Sequence, residues 1–473
     1  MKIDSISKKE IIENDFIMKP SYHLNHGKLS VLKSKANGLK FSELGDVVGE
    51  VYTGGIFKRN FISNPALGIP YISAQHMMIH SPIDYSKIIS KKFTIRQDDM
   101  MLKENQLLVS CAGTIGNVRL ITKDLEGIIG SQDIIRVNPV KEKMLFGFLY
   151  AYLSTPVAHS YIQSFIYGSV VPRIEPKTLK KLPIPNLNSG LQLRVHQLIE
   201  SVSELRVKAN LILKKAEDLF YTSTGLRQLD LDDYDFFGQH SHGRKISSFS
   251  ISSSKITPIT FNAFNYSEKI KKIKLYLTKK CDYLSLQQCL NEQGFFSTGS
   301  FPRVEIDSTK SIRLINQSDI FNIRIDGKKI SKKNVKVNNL VKYGEVLIAG
   351  VGTLGENETF CRTIFASEEL QGQLISGEFI RMNTSKEIPS GYLFIYLSSE
   401  YGFRLIRSTQ TGTKLCRPIQ SLLSDIPIPI IDKKLMKKIH DLVCEAHTMR
   451  YQALQKEDEA ILLIEKEIAA WQK

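Results

Sequence analysis

A chain of 473 residues is too long for a single hydrophobic core and implies roughly two to four domains. Its 42% hydrophobic and 24% charged residues are those of an ordinary globular protein, which excludes a disordered or fibrous chain. The formal net charge of +16 and pI near 9.3 point to a polyanionic partner, the plainer alternative being a solubilising surface. Six cysteines (Cys111, Cys281, Cys289, Cys361, Cys416, Cys444) are scattered without a CxxC pair. That spacing offers no zinc framework and suits free, mostly buried thiols in a reducing compartment. The N-terminal MKIDSISKKEIIENDF has no apolar h-region, and no window reaches the length of a membrane-spanning helix, so a cytoplasmic protein is expected.

In chain order, the first half reads as β-rich. Leu107–Cys111, Asn117–Ile121 and Ile134–Val137 are short, branched segments bounded by glycine or proline, as strands are. A helix is predicted from Met144 to Leu153, then a glycine loop at Tyr167–Ile174, then Leu182-Pro-Ile-Pro185, whose prolines suit an edge strand. A long helix follows. The joint at 223–258 holds Asp230, Asp232, Asp233 and Asp235, a Gly-His cluster, and serines from Ser247 to Ser254, a composition that buries little apolar surface and predicts a linker. The second half then repeats the first: Glu345–Ala349, Phe360–Phe365 and Glu378–Met382 as strands, Gly391–Leu397 as helix, Thr411–Ile419 as loop and Ile426-Pro-Ile-Pro429 as strand. Phe261–Tyr266 likewise resembles Phe16–Tyr22. From Gly147 onward the copies are about 244 positions apart; Gly113-Thr-Ile-Gly116 and Gly352-Thr-Leu-Gly355 are 239 apart. Two long copies are a duplicated domain, not a solenoid.

Each copy ends in a helix with a heptad seam. The first carries Leu191, Val195, Leu198, Val202, Leu205, Ala209, Ile212, Ala216 and Leu219; the second carries Leu435, Ile439, Leu442, Ala446, Met449, Ala453, Lys456, Ala460 and Leu463. Equal phase permits an antiparallel coiled coil, although a packing face inside one domain has similar spacing. Each seam is roughly 40 Å long, close to one turn of B-DNA at about 34–36 Å. Lys456 breaks the pattern where Ile212 sits in the first copy, and either sets the register or faces a partner. The expected domains are residues 1–188, a long helix at 189–222, the linker 223–258, a second domain at 259–431 and a second long helix at 432–473. The expected fold class is α+β, with two β-rich domains separated by antiparallel helices.

Gly350-Val-Gly-Thr-Leu-Gly355 matches GxGxxG, yet the segment after it reads as a strand and Cys111 replaces the first glycine in the other copy. A strand-to-strand turn whose amides approach a phosphate is the preferred reading. No NPPY-type tetrapeptide occurs (Ser63-Asn-Pro-Ala66 only begins like one), nor a Walker loop, an HExxH or a nuclease cluster, and His240 with His242 sits in a Ser/Gly-rich stretch where solvated histidines are the rule. The chain is therefore expected to be no enzyme, with no catalytic residue, metal or cofactor of its own. Polar residues beside turns are the better functional candidates, because Arg, Asn and Gln read base edges while Lys, Ser and Thr position phosphates. In the first half these are Lys58, Arg59, Asn60, Gln75, His76, Gly113, Thr114, Gly116, Gly168, Ser169 and Arg173. In the second they are Ser297, Thr298, Ser300, Arg303, Asn316, Gln317, Gly352, Thr353, Thr411, Gly412, Thr413, Lys414 and Arg417.

The glycine loops Gly113–Gly116 and Gly352–Gly355, the run Gly168–Arg173 leading to Leu182–Pro185, and Thr411-Gly-Thr leading to Ile426–Pro429, each followed by a heptad helix, resemble the specificity subunit of a type I restriction-modification system. The resemblance extends from about Phe41 to the C-terminus; Cys416-Arg-Pro departs from Val171-Pro-Arg of the first copy. It implies two target-recognition domains on an antiparallel coiled coil, and a bipartite asymmetric double-stranded DNA target. It also implies two adenine methyltransferase subunits, which bring S-adenosylmethionine, and translocating restriction subunits. The specificity chain of a type IIB-like enzyme fits the same residues. From other classes, a coiled-coil protein-interaction scaffold and a nucleotide-binding enzyme using GxGxxG stand as alternatives.

Overall fold

A computed structural model of the chain describes residues 6–13, 16–62, 64–95, 97–168, 170–229 and 249–473. Most of the acidic and Gly-His part of the expected linker, including His240 and His242, lies outside them. The chain divides into two compact units, Met1–Val207 with Gln452–Lys473, and Lys208–Tyr451.

In the first unit the strands are β1 (Phe41–Glu43), β2 (Val48–Thr53), β3 (Phe61–Ile62), β4 (Gly68–Ile72) and β5 (Lys87–Ser90), then β6 (Leu107–Ser110), β7 (Val118–Leu120), β8 (Ile129–Gly130), β9 (Ile134–Pro139) and β10 (Pro183–Pro185). One antiparallel sheet has the order β2-β9-β6-β7, and a second has the order β3-β5-β4-β8, with β4 and β8 parallel. The second unit holds β11 (Tyr283–Ser285), β12 (Leu290–Phe296), β13 (Ser311–Ile315), β14 (Lys328–Ser331) and β15 (Val346–Ala349), then β16 (Thr363–Phe365), β17 (Leu374–Ile375), β18 (Phe379–Thr384), β19 (Gln410–Thr411), β20 (Arg417–Pro418) and β21 (Pro427–Pro429). Its main sheet, β12-β18-β15-β16, has the same order, and β14-β13-β17 repeats the second sheet without the β3 strand. The duplication read from the sequence is thus a duplication of topology.

The Pro-Ile-Pro strands pair only with β1 and β11, with Ser42 opposite Ile184 and Leu284 opposite Ile428. Two-stranded ribbons tolerate proline because its missing N–H faces no second neighbour. Two helices per unit cover the main sheet. Phe146–Leu153 and Ser390–Ser398 follow the expected positions, while Pro156–Ser164 and Glu400–Arg407 were not read from the sequence. Hydroxyls tie the first of each pair down: Tyr152 donates to the Pro183 carbonyl (2.6 Å) and Tyr396 to that of Pro427 (2.5 Å).

The long helices run Ser189–Thr224 and Lys433–Ala470. The start of the first shares a unit with the end of the second, and the converse holds in the other unit, the order expected of antiparallel neighbours. Val195, Val202, Ala209 and Ala216, and Ile439, Ala446, Ala453 and Ala460, are buried at seven-residue intervals as expected. The other seam residues are only half-buried: Leu191, Leu198, Leu205, Ile212 and Leu219 on one helix, Leu435, Leu442, Met449, Lys456 and Leu463 on the other. Burial passes instead to the position after them, at Ile199, Phe220, Met436, Val443, Glu457 and Ile464. Each part of a long helix also packs on the short helices of the unit in which it lies, so its apolar face is the wide 3.6-period stripe of a globular core.

One residue of that stripe is charged. Glu457, fully buried, accepts from both terminal nitrogens of Arg206 at 3.1 Å and from the Tyr150 hydroxyl at 2.6 Å. Burial and Glu457 raise the Tyr150 pKa, and Glu457 holds the Arg206 guanidinium charged against desolvation. The asymmetry assigned to Lys456 thus belongs to its neighbour; Lys456 itself is half-buried. In the second unit the matching positions are Phe394, Arg450 and Leu213, and Arg450 donates to Asn210 Oδ1 at 2.8 Å instead.

Removing one member of a buried pair strands the other, at about 3–5 kcal/mol. Glu457→Ala should lower the unfolding free energy by about that amount in urea titration, and Glu457→Leu with Arg206→Leu should recover most of it. Burial, and next Arg450, pushes the His447 imidazole down to about 3. The unfolded chain therefore binds a proton that the folded chain does not, and stability is complete above about pH 6.5 and falls as pH drops toward 3. His447→Phe should make that fall shallower by up to about 1.4 kcal/mol per pH unit, read from urea midpoints between pH 7 and 4.

Candidate nucleic-acid interface

In the first unit the glycine loop joins β6 to β7 as a strand-to-strand turn, with Gly113 (φ +73) and Gly116 (φ +92) in the left-handed region. The Ser110 hydroxyl donates to the Thr114 carbonyl and accepts from Asn117 N (3.0 Å). The helix Pro156–Ser164 props the loop from behind. Gln163 donates to the Ile115 carbonyl (2.8 Å) and to His159 Nε2 (3.2 Å), leaving His159 Nδ1–H to donate to the Gly116 carbonyl (3.1 Å). Gly113 and Thr114 are left exposed.

The second loop meets the first. Arg173 pairs with Tyr167 through two backbone bonds of 2.9 Å, Ala112 bridges Arg173, and Ile174 N donates to the Cys111 carbonyl (3.1 Å). A third loop, Ser131–Asp133, completes the cluster: Cys111 N donates to the Asp133 carbonyl, and the Asp133 carboxylate pairs with Arg173 at 3.2 Å. The Ser131 hydroxyl accepts from Asp133 N and lies beside the Tyr71 hydroxyl, which accepts from Arg59 at 3.5 Å. Burial raises the Tyr71 pKa against the pull of Arg59. Arg59 and Arg173 are therefore ends of one continuous network, and both are exposed. Lys58 and Gln75 are exposed; Asn60 donates to the Phe93 carbonyl (3.2 Å), and His76 leans on the Tyr85 ring. Gly168 is exposed, and Ser169 lies outside the described residues.

The second unit builds the same cluster. Gly352 and Cys416 exchange backbone bonds of 3.2 and 2.7 Å, and Gly350 N donates to the Glu378 carbonyl (3.1 Å). Gly377 sits so close to Gly299 that a Cβ on it would lie 2.9 Å from the Gly299 carbonyl, which places Ser297–Ser300 beside the loop. Gly350-Val-Gly-Thr-Leu-Gly355 leads from β15 toward the antiparallel β16, the turn expected, and opens no helix. Ser297, Ser300, Arg303, Thr353, Thr411, Gly412, Thr413, Lys414 and Arg417 are exposed, while Asn316 is half-buried with Asp319 (3.4 Å).

Two candidates turn inward. Gln317 is buried and clamps Val351, donating to its carbonyl (2.5 Å) and accepting from its N–H (3.2 Å). Thr298 is buried, and its hydroxyl accepts from Arg381 (3.4 Å). Side chains whose polar atoms are bonded inside the unit in this way hold its loops in shape.

Arg381 and its counterpart Arg136 were missed. Both are fully buried in strands whose other residues are largely apolar. Arg136 donates to the carbonyls of Met100 (3.0 Å), Gly130 (2.7 Å), Ser131 (3.4 Å) and Ile134 (3.1 Å), and burial lowers its pKa. Arg381 forms a two-pronged pair with Glu345 (3.0 and 2.9 Å) and donates to the carbonyls of Asn339 and Leu340, both at 2.8 Å. In the first unit Gln106 stands in the place of Glu345. The signal was present in the sequence as a charge inside Ile-Ile-Arg-Val and Phe-Ile-Arg-Met, where strand patterning calls for an apolar residue.

All six cysteines are free and buried or half-buried. Among the described residues no group of three metal-ligating side chains converges, and no helix is long and apolar enough to cross a membrane.

A duplicated β domain that brings three loops and exposed arginines together defines a candidate DNA-binding class. Residues 37–189 match the type I restriction modification DNA specificity domain. That match spans about a third of the chain, all of it in the first unit, and likens this unit to the DNA specificity domains of type I systems. No curated protein matches it in sequence. Among solved structures, it is similar to the type I restriction-modification S subunit from M. genitalium at 14% identity, over 92% of this chain and 96% of that one, with TM-score 0.37. It is also similar to the HsdS subunit from Thermoanaerobacter tengcongensis at 12% identity, over 91% and 96% of the two chains, with TM-score 0.28.

Because Arg381 neutralises a buried carboxylate and Arg136 does not, Arg381→Met should cost about 3–5 kcal/mol of stability and Arg136→Met less. Adding Glu345→Gln to Arg381→Met should restore part of the loss. Urea denaturation of the four proteins checks the order.

Proposed function

We propose that each unit reads one part of a bipartite, asymmetric duplex DNA target, and that the chain docks two adenine methyltransferase subunits and the restriction subunits of a type I complex. The observation that carries this reading is the same three-loop cluster built twice, with exposed Arg59 and Arg173 in one copy and Lys414 and Arg417 in the other, on a chain of net charge +16. Arginine beside a glycine turn suits guanine edges or phosphates, and the exposed loop amides suit phosphate oxygens. S-adenosylmethionine and the methyl-transfer chemistry belong to the partner, and the complex works where the DNA is, in the cytoplasm. The proposed segmentation is a recognition domain at 1–188, a helix at 189–222, a linker at 223–258, a second recognition domain at 259–431 and a second helix at 432–473.

Expressed with its neighbouring methyltransferase, the chain should co-purify with it and leave methyladenine in a split motif of the host genome. Neither complex nor mark would sink the proposal; a partner that fuses methylase and nuclease would place the chain with type IIB-like enzymes. Arg173→Ala should weaken binding to that motif by about 1–3 kcal/mol if Arg173 reads a base. If it holds a phosphate, the loss should be uniform across sequences, with the salt slope reduced by about 0.9.

A further inference from the structure

The turn at Gly168–Arg173 and its counterpart at Gly412–Arg417 share a shape that polar contact with DNA does not explain. Gly168 (φ +84) and Gly412 (φ +100) are left-handed, and a Cβ on either would lie 2.9 or 2.8 Å from the carbonyl of Val171 or Leu415. Only glycine closes such a turn. Both stems are fastened by backbone bonds, Tyr167 with Arg173 and Thr411 with Arg417, and each stem is bonded in turn to its glycine loop. These rigid stalks carry aliphatic side chains into solvent: Val170 is 90% exposed, Val171 56% and Leu415, aligned with Val171, 59%. Single exposed apolar residues are common on protein surfaces. An aliphatic residue raised at the same point of two diverged copies, next to an exposed arginine each time, is a shared feature.

The flanking charge selects the occupant. Arg173 flanks one tip, where Asp133 pairs with it and Glu175 accepts from the Tyr167 hydroxyl, and Lys414 and Arg417 flank the other; these three exposed cations, on a chain of net charge +16, favour a polyanion over an apolar protein surface. In a duplex groove the thymine C5 methyl is the apolar group presented at a base edge, so an aliphatic tip that leaves the bases stacked finds its contact there.

Resting on the DNA-reading function above, we propose that Val170 and Val171 in the first unit, and Leu415 in the second, are apolar reading tips that pack on thymine methyl groups, one set per half-target. Lys414 standing where Val170 stands makes the two tips unequal, which suits an asymmetric target.

The test uses the full chain in complex with its methyltransferase. A randomised duplex library gives the wild-type motif, and duplexes of that motif are then made with uracil for thymine, one position at a time. Wild type should lose about fourfold in affinity at one thymine of each half-target, the equivalent of about 0.8 kcal/mol for one buried methyl group. The double variant Val170→Ser/Val171→Ser should be indifferent to uracil in one half alone, and Leu415→Ser in the other, each with an unchanged melting temperature. Wild-type indifference to uracil everywhere, a half-motif without an A·T pair, or variants that keep the sensitivity would overturn the tips while leaving the DNA-reading function in place. Tips that act as wedges would show affinity loss without uracil dependence, together with unstacking reported by 2-aminopurine, and this also overturns the thymine contact. Enrichment of no motif by wild type overturns both.

Discussion

The close approach of a short helix to a long one governs each unit. Gly147 N–H donates to His196 Nδ1 at 3.3 Å and Gly391 N–H to His440 Nδ1 at 3.0 Å. A Cβ on either glycine would lie 2.9 Å from the histidine Cα. Only a residue without a side chain lets the backbones come so near, and the bond then satisfies an N–H of the first helical turn that has no partner within the helix. Burial lowers the pKa of both imidazoles, which keeps Nδ1 an acceptor. From this contact outward the short helix is fixed on the long one, the main sheet on the short helix, and the loops on the sheet.

The loops are held by means that differ between copies while the outcome agrees. Arg136 gathers four carbonyls with no carboxylate, whereas Arg381 shares the same place with Glu345. The helix pairing diverges likewise, with Tyr150, Arg206 and Glu457 in one unit against Phe394, Arg450 and Leu213 in the other. In both cases the arginine is kept and only its carboxylate changes, to Gln106 in one pair and to Leu213 in the other, and the arginine left without it donates to neutral oxygens. The exposed loop tips carry no such constraint, and there the copies differ freely: Val170-Val171 against Lys414-Leu415. Rigid support beneath variable tips is the arrangement a recognition domain needs.

Much of this was legible from residue order. The strands around Leu107–Val137 and Glu345–Met382, the ribbons of Pro-Ile-Pro and both long helices follow from local patterning, and their repetition marked the duplication. The helices Pro156–Ser164 and Glu400–Arg407 escaped because the first carries small and polar residues and the second has buried arginines, which blur an apolar stripe. Of the candidate site, the glycine turns and the exposed Arg59, Arg173 and Arg417 were visible, since turn chemistry is local. Tyr71, Ser131 and Asp133, which join Arg59 to Arg173, come from segments far apart in sequence and carry no motif.

The sequence by itself determined that the chain is a basic, duplicated pair of β-rich domains, each closed by a heptad helix. Spacing, turn residues and charge are properties of the chain read in order. Tertiary structure alone decided which side chains face inward. Gln317 and Thr298 look like readers of DNA in the sequence, yet they are spent on Val351 and Arg381, and the buried stripe of the long helices runs through Glu457 in place of Lys456. A difference of one position on a helix, or the direction of one side chain at a turn, is set by what packs against it, and that neighbour lies tens to hundreds of residues away in the chain.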